Sequence, residues 1–561
     1  MKKLKSGILT IGVVAASLCA ASCSESFLDV SSKTESTTGN FYKTENDAWR
    51  ALIGCYDGWR QVSSSLGGVN SFYLASTIMS DECYGSTGVG DKYDSQTLDR
   101  FDQSQAPTML DIFDDTWKYY YAGIYRCNEL LVHDEAIAWK DEEKHKLYIG
   151  ECRALRAILY FDLVRIFGNI PLFEEASQEN RAQSDPAEVY ALIVEDLKFA
   201  AENIPADQNL GKSNFGRITK FAAEALLGRV YLFYTGYYGK ELGFTDSEGN
   251  TTGTLSKQEA LQYCEDVIAS NNYSLVKEFK NLWPAASLVP IAGQLGWAES
   301  STYEGDANSE VILSMNFTPT QDYNGNNDSN RWQVMVGMRS LNFESKGYGK
   351  GWGACGISKA FLEKYLPAND ARRSASVIDL EGEGVTKIDA FTNSFNDWRE
   401  YTGFTIKKYS PLVFGNGLPG TSPDGTAGFQ ECNAQPWNIV RLADVMLMAA
   451  ELGSANASEY MHQIRSRAGL ADVAVNKQNI LDERARELAF EGHRYWDLLR
   501  QGIDVAADAI CASAGSCYTG GNEAVVSYDR ENIIKTNGLC RIPLNQINLS
   551  SNVLKQNPGW N

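Results

Sequence analysis

KHKLYIGECRALRAILYFDLVRIF, which runs from Lys144 to Phe167, carries the clearest helical pattern in this chain of 561 residues. Apolar side chains recur along it at intervals of three and four residues, namely Leu155, Ile158, Leu159, Leu163 and Ile166. That spacing places them on one face of an α-helix. Gly168 and Pro171 follow and stop the helix. The pattern therefore predicts a helix that ends at Phe167 and buries its apolar face.

Similar patterns recur through the chain. They predict further helices over 187–201, 219–234, 257–269, 441–451, 457–467 and 480–500. Several are spaced as antiparallel pairs, and such pairs bury their apolar faces by stacking, as tetratricopeptide arrays do. We therefore predict a mainly α fold in which tetratricopeptide-like helix pairs form a scaffold.

Two regions lack this periodicity. Gly, Asn, Ser and aromatic residues dominate between about 275 and 435, and a shorter irregular stretch spans 81–102. Long irregular segments in a compact protein often carry function. We divide the chain into an N-terminal helical region over 41–274, a loop-rich ligand-binding region over 275–435 and a C-terminal helical region over 436–561.

The N-terminus has the pattern of an export signal. Residues 1–22 contain three early lysines, an apolar run from Gly7 to Ala16 and Ala-Ala-Ser before Cys23. This order is typical of a secretory signal peptide. A cysteine at the cleavage point predicts lipidation of Cys23, although Ala20 stands where a lipobox usually has Leu. The alternative is ordinary cleavage to a secreted soluble protein. Residues 23–40 are rich in Ser, Thr and Glu and predict a flexible tether.

Composition narrows the possible partners. The net charge is −20, and no stripe of Lys or Arg offsets it, which argues against nucleic acid. Beyond the leader, no run approaches the ~18 apolar residues that a spanning helix needs. Of the twelve cysteines, Cys19 leaves with the leader and Cys23 carries the lipid, so ten would lie in a compartment that permits disulfides, and Cys511 and Cys517 are the best candidate pair. Buried free thiols are the alternative.

No pattern for a cofactor or metal is complete. The four histidines have no metal-ligand spacing. Asp322, Asn324, Asn326 and Asp328 imitate the start of a calcium loop, but its turn glycine and its terminal Glu are missing. We predict no cofactor and no metal ligands, with an irregular structural calcium site as the alternative.

One row of carboxylates resembles catalytic acids. Glu483, Glu487 and Glu491 lie four residues apart, as a glycoside-cleaving pair could. Arg484, Arg486 and further charged residues lie on the same segment, so structural ion pairing within the segment is the preferred interpretation. We therefore predict no catalytic residues.

Several strings resemble a known family. These are RLADVMLMAAE at 441–451, IRSRAGL at 464–470, ERARELAFEGHRYWDL at 483–498 and the ending IPL at 542–544 with QNPGW at 556–560. Cys23 followed by Phe27-Leu28-Asp29 is similar to the family's start. Together they resemble the SusD/RagB family of nutrient-binding outer-membrane lipoproteins.

The resemblance implies a function. Such a protein is held at the surface of a Bacteroidetes-type outer membrane by its lipid, binds an oligosaccharide and passes it to a SusC-like TonB-dependent barrel, without catalysis. Peptide capture, a surface glycoside hydrolase and a scaffold that binds only the barrel are the alternatives.

A sugar site needs aromatic platforms with a few polar groups, because sugars present flat CH faces ringed by hydroxyls. The candidate platforms lie in the two irregular regions and are Tyr84, Tyr93, Trp297, Tyr303, Trp332, Tyr348 and Trp352. Asp81, Asn326 and Arg331 are the candidate hydrogen-bonding residues. The alternative for each ring is that it only fastens its loop to the scaffold.

Overall fold

The computed structural model describes residues 41–62, 72–177, 179–287, 302–318, 329–341, 347–387, 389–412, 429–430 and 433–560. The signal peptide, the tether with Cys23, and the calcium-like residues 322–328 lie outside these ranges. Among the described residues, no helix has the length and apolarity that crossing a membrane requires.

Helices dominate the architecture. They are α1 Glu45–Gln61, α2 Phe72–Ile78, α3 Asp94–Asp99, α4 Asp114–Val132, α5 Glu142–Phe167, α6 Pro186–Asn203, α7 Lys220–Tyr238, α8 Lys257–Ala269, α9 Pro284–Ser287, α10 Arg331–Val336, α11 Lys359–Tyr365, α12 Ala371–Ser376, α13 Asp389–Asp397, α14 Leu442–Leu452, α15 Ala457–Arg467, α16 Lys477–Glu487, α17 Arg494–Leu499, α18 Ile503–Ala512, α19 Arg530–Lys535 and α20 Leu544–Leu549. This arrangement confirms the mainly α fold.

The long helices form the predicted scaffold. Each packs on the next along the series α1, α4, α5, α6, α7, α8, and α8 then packs on α14. α5 is capped by Asp141, whose carboxylate accepts hydrogen bonds from the amides of Glu143 and Lys144. Its last residue is Phe167, and the following Gly168 has a φ of 69° that only glycine adopts readily. The predicted end at Phe167 is confirmed.

Strands are short and pair in twos among the described residues. They are β1 Cys83–Tyr84, β2 Thr87–Gly88, β3 Leu242–Thr245, β4 Thr251–Leu255, β5 Val311–Met315, β6 Met338–Arg339, β7 Lys350–Gly351, β8 Gly356–Ile357, β9 Val377–Asp379, β10 Trp398–Arg399, β11 Phe404–Ile406, β12 Trp437–Arg441, β13 Gly515–Thr519 and β14 Asn522–Val526. The pairs are β1–β8, β2–β10, β3–β4, β5–β12, β6–β7, β9–β11 and β13–β14. Two of these pairs, β1–β8 and β2–β10, join the first irregular stretch to the second.

Helix prediction succeeded at 257–269 and 457–467, where α8 and α15 have the predicted bounds. The single helix predicted over 480–500 is wrong, because the chain divides there into α16 and α17. Phe490 has a φ of 62° and Gly492 a φ of 79°, which no α-helix accommodates. The amide of Phe490 donates to Oε1 of the buried Glu82 at 2.8 Å, which ties the turn to the segment before β1.

Glu483, Glu487 and Glu491 lie in a buried network of charges, which we call the interior network. Its other members are Glu310, Asp370, Arg372, Lys408, Arg441, Arg465 and Arg467. Arg372 lies 2.7 Å from Glu483, and Arg441 lies 2.8 Å from Glu491. The prediction of ion pairing is confirmed, but the partners come mostly from other segments rather than from the same helix.

Charge pairing sets the protonation of these acids. Burial acts to raise the pKa of Glu487, yet the charges of Arg467, Arg441 and Arg372 outweigh burial and lower it to about 2. The pKa of Glu491 is also lowered, since the charges of Arg441 and Lys408 outweigh its burial. Each of the three glutamates is at most 1% exposed and accepts hydrogen bonds from cations of the interior network, as structural ion pairing predicts.

The disulfide predicted between Cys511 and Cys517 is wrong, because both are free cysteines. Cys511 belongs to α18, whereas Cys517 lies on β13 and pairs across the hairpin with Ala524. The helix and the hairpin hold the two residues in separate elements. The alternative prediction, free thiols, holds for Cys511 and Cys517.

Candidate functional site

The first irregular stretch is organised by one buried arginine. β2 and β10 pair with Arg399 opposite Thr87, which places the guanidinium under the loop that follows β2. Arg399 is only 3% exposed, and it donates hydrogen bonds to the carbonyl oxygens of Val89, Asp91 and Lys92 and to the side chains of Thr87 and Gln96. Both terminal nitrogens of the planar guanidinium therefore donate to this loop and fasten it to β10.

Tyr93 lies on this guanidinium. The Cζ atom of Arg399 is 3.8 Å from the centre of the Tyr93 ring, and Tyr93 is 48% exposed. One face of the ring is therefore covered by a cation, and the remaining surface is open to solvent. Val89, four residues earlier, is also exposed at 43%.

Arg339 connects this loop to the second irregular region. Its guanidinium lies 2.9 Å from Asp91 and 2.8 Å from Asp397, and it donates to the carbonyl oxygen of Trp352. Both carboxylates are more than two-fifths exposed, whereas the Arg339 side chain is 14% exposed. Arg339 thus ties the loop after β2, the end of α13 and the residue after β7 to one another.

Trp352 is half-buried and contributes the second aromatic ring. Its amide donates to the carbonyl oxygen of Val334 at 2.8 Å, and the guanidinium of Arg331 lies 5.7 Å from its ring centre. We use the name Tyr93–Trp352 face for the surface formed by Val89, Asp91, Tyr93, Arg339, Trp352 and Asp397. This face combines the exposed Tyr93 ring and two exposed carboxylates with a half-buried Trp352 ring and the mostly buried cation of Arg339.

The structure joins the segments that contain two of the predicted site residues, Tyr93 and Trp352. Arg339 connects them through the Asp91 carboxylate and the Trp352 carbonyl oxygen, and a third predicted residue, Arg331, lies against the Trp352 ring. Arg331 itself is 6% exposed and donates to the carbonyl oxygen of Gln430, so it supports the ring rather than the surface.

Asp81, which we predicted as a hydrogen-bonding residue of the sugar site, lies in the protein interior. It is 4% exposed, and its two carboxylate oxygens accept hydrogen bonds from Arg494 at 2.8 Å each. The pair is bidentate and lies in the protein interior. Asp81 therefore orients α17 and is not available to a ligand at the surface.

Three aromatic residues that we predicted as ligand platforms are also buried. These are Tyr84, Trp332 and Tyr348, which are 1%, 3% and 4% exposed. The hydroxyl of Tyr84 donates to the carbonyl oxygen of Ser513, and burial raises the pKa of Tyr84 to about 12. Trp332 packs edge-on against Trp437 with 4.5 Å between ring centres. The hydroxyl of Tyr348 donates to Glu383 at 3.2 Å. Protein atoms already occupy the surroundings of these rings.

Tyr303 lies apart from the Tyr93–Trp352 face. It is half-buried, and its hydroxyl donates to Asp306. The neighbouring Thr302 and Glu304 both bind Asn281, just before α9. Trp297 and Asn326 lie outside the described residues.

The sequence did not reveal Arg399, Arg339, Asp91 or Asp397. No spacing along the chain joins Thr87 to Arg399; only the register of β2 with β10 does so. The available signal was the charge density around Tyr93, where Asp91, Lys92 and Asp94 surround an aromatic residue.

Comparison with known families defines the class of protein to which this architecture belongs. A model of the SusD family matches residues 309–560, and a second model, described as starch-binding and associating with the outer membrane, matches residues 26–232. Together the two matches cover well over half of the chain and leave residues 233–308 between them. The chain therefore belongs to the SusD/RagB family, as the sequence strings indicated.

Individual relatives of the SusD family are similar to this chain over most of its length. A SusD-like protein of Bacteroides ovatus is 24% identical over 513 residues, which cover 88% of this chain and 82% of that protein. A laminarin-binding SusD-like protein of known structure is 25% identical, with a TM-score of 0.70 and coverage of 92% of this chain and 100% of the other. Surface glycan-binding protein A from Bacteroides thetaiotaomicron, solved with laminarihexaose, is 21% identical, with a TM-score of 0.71 over 92% of this chain and 100% of that chain.

Proposed function

We propose that this protein captures an oligosaccharide at the bacterial surface and delivers it unaltered to a SusC-like TonB-dependent barrel. Membership of a family described as starch-binding and associating with the outer membrane supports the glycan and the location. Similarity to a laminarin-binding SusD-like protein supports a glucan among the candidate ligands.

The observation that carries the proposal is the Tyr93 ring. One face lies 3.8 Å from the buried Arg399 guanidinium, and the ring is 48% exposed. A ring held this way is a ready-made platform for the CH face of a sugar, because it loses little conformational freedom when a ligand binds. Asp91 and Asp397, both more than two-fifths exposed, supply acceptors for sugar hydroxyls at the same face.

Attachment to the membrane is proposed through the lipid on Cys23. Several acyl chains on one cysteine give stable anchoring, at about 0.8 kcal/mol per buried methylene. A Cys23→Ala variant is expected to move from the membrane to the soluble fraction. Membrane retention of that variant, with no acyl chain found by mass spectrometry of the wild type, would contradict the anchor.

The binding experiment uses isothermal titration calorimetry of the purified protein with laminarin, starch and other soluble glycans. Tyr93→Ala and Trp352→Ala are each expected to weaken binding of the preferred glycan by about tenfold, in line with ~1–1.5 kcal/mol for one stacked ring. Tyr263→Ala is the matched control, since Tyr263 is a half-buried tyrosine on α8, within the helical scaffold. Its binding is expected to equal that of the wild type.

Three outcomes would contradict the proposal. Equal losses in all three variants would place the site elsewhere, and binding of peptides but no glycan would favour peptide capture. Release of reducing ends from any bound glycan would show a hydrolase.

A further inference from the structure

Three buried thiols meet where three scaffold helices pack together. Cys55 lies on α1, Cys127 on α4 and Cys152 on α5, and each is 0% exposed. Their sulfur atoms all lie within 4.8 Å of one another, and the Cys55 and Cys152 sulfurs are 4.0 Å apart. Cys127 and Cys152 follow Cys55 by 72 and 97 positions in the sequence, yet the three sulfur atoms converge on one point.

The separation fits a metal ion at the centre of the triangle. A thiolate lies about 2.3 Å from a bound d¹⁰ cation, so three sulfurs in a trigonal plane are about 4.0 Å apart. A disulfide would need a sulfur separation of about 2.05 Å. Among the described residues, no His, Asp, Glu or further Cys joins the three as a fourth ligand. The geometry therefore favours an ion that accepts three sulfur ligands.

Hydrogen bonds to main-chain oxygens hold the helices together beside the three sulfurs. Arg126, which directly precedes Cys127 on α4, donates at 3.0 Å to the carbonyl oxygen of Gly54, which directly precedes Cys55 on α1. The thiol of Cys152 donates to the carbonyl oxygen of Cys127, which fixes its orientation.

We propose that Cys55, Cys127 and Cys152 form a three-coordinate site for Cu(I) that fastens α1, α4 and α5 together. Soft thiolate ligands select Cu(I), and a trigonal all-sulfur site with no fourth ligand disfavours Zn²⁺, which prefers four. The inference does not depend on glycan binding, because the site is buried within the scaffold and the Tyr93–Trp352 face is not part of it.

The test is a titration of the reduced purified protein with Cu(I), under anaerobic conditions and in competition with a chromogenic Cu(I) chelator. The protein is refolded from urea with Cu(I) present, so that the buried site is accessible. The wild type is expected to retain one Cu(I) that Cys127→Ser loses, with at least a hundredfold fall in affinity. Cys264→Ser is the matched control, because Cys264 is equally buried but lies outside the cluster.

X-ray absorption of the copper-loaded wild type keeps the test independent of variant folding. Three sulfur neighbours at a single distance support the site, as does a rise in melting temperature on loading that Cys127→Ser lacks. Nitrogen or oxygen neighbours, equal Cu(I) retention by Cys127→Ser and wild type, preference for Zn²⁺, or a native Cys55–Cys152 disulfide in the mass spectrum would each overturn the proposal.

Discussion

The interior network and the Tyr93–Trp352 face use arginine in opposite ways. In the network, Arg372 and Arg441 are at most 1% exposed and bind only carboxylates and carbonyls of the core. Beneath the face, Arg399 is also buried, but its acceptors are three loop carbonyls and two uncharged side chains. Charge neutralisation holds the scaffold, whereas a cation bound by dipoles shapes the loop and supports a ring. The difference separates a region built for stability from one built to present a surface.

Removing a cation from the interior network is expected to have the largest effect. Arg441→Ala leaves Glu310, Glu487 and Glu491 buried without their shared partner. We expect a loss of about 3–5 kcal/mol in the free energy of unfolding, measured by urea denaturation. Arg530→Ala is the control, because that arginine pairs with Asp504 and Asp508 at the surface. A similar loss in both variants would remove the distinction between buried and exposed pairs.

Arg399→Met tests the other use of arginine. Methionine keeps much of the apolar stem but none of the five hydrogen bonds, so the loop after β2 loses its support. We expect a loss of about 2–3 kcal/mol in stability, typical of a few bonds to a charged donor, and glycan affinity as weak as in Tyr93→Ala. Hydrogen exchange is expected to speed up over residues 87–96 and to stay unchanged in α14. Unaltered exchange in the loop would show that Arg399 does not order it.

The interior also contains an acid that is not neutralised. Burial raises the pKa of Glu82 to about 8, whereas an exposed Glu has a pKa of 4.5. The folded state therefore binds a proton that the unfolded state releases between pH 4.5 and 8, and the stability from this group is lost as pH rises through that window.

Glu82→Gln, which imitates the neutral carboxyl, is expected to flatten this dependence. The slope that it removes is at most about 1.4 kcal/mol per pH unit. Urea denaturation from pH 5 to pH 8 measures it. An unchanged slope would mean that Glu82 is ionised in the fold, as the lowered pKa of Glu487 indicates for that acid of the network.

The smallest effect is expected for Asp91→Asn. Its bridge to Arg339 is 2.9 Å long, but Asp91 is 43% exposed. We expect a stability change within about 1 kcal/mol that shrinks as salt is added. A loss of stability as large as that of Arg441→Ala would show that Asp91 contributes as much to stability as the buried ion pairs of the interior network do.

The scaffold was predictable because its signal is local. α8 and α15 match their predicted bounds, since the apolar spacing, the Ser256 cap of α8 and the Gly469 that follows α15 all lie within or beside the segment. The break after α16 was not predictable, because Phe490 adopts a positive φ that is tied to Glu82, a residue from the opposite end of the sequence.

The site was predictable only in part. Tyr93 and Trp352 were proposed from composition, but Trp332 and Tyr348 looked the same in sequence and are buried. Exposure of a loop aromatic depends on which distant strand pairs beside it. Arg399 escaped prediction for the same reason, since its contacts with the loop span about 300 residues.

Three of the five acceptors of Arg399 are main-chain oxygens, those of Val89, Asp91 and Lys92. Every amino acid supplies such an oxygen, so the hydrogen bonds from Arg399 do not depend on which side chains stand at these positions. The anchoring is thus independent of the chemistry that the loop displays. Successive mutations could therefore redirect the protein to a new ligand while its framework persists, which makes this short segment a natural point of evolutionary divergence.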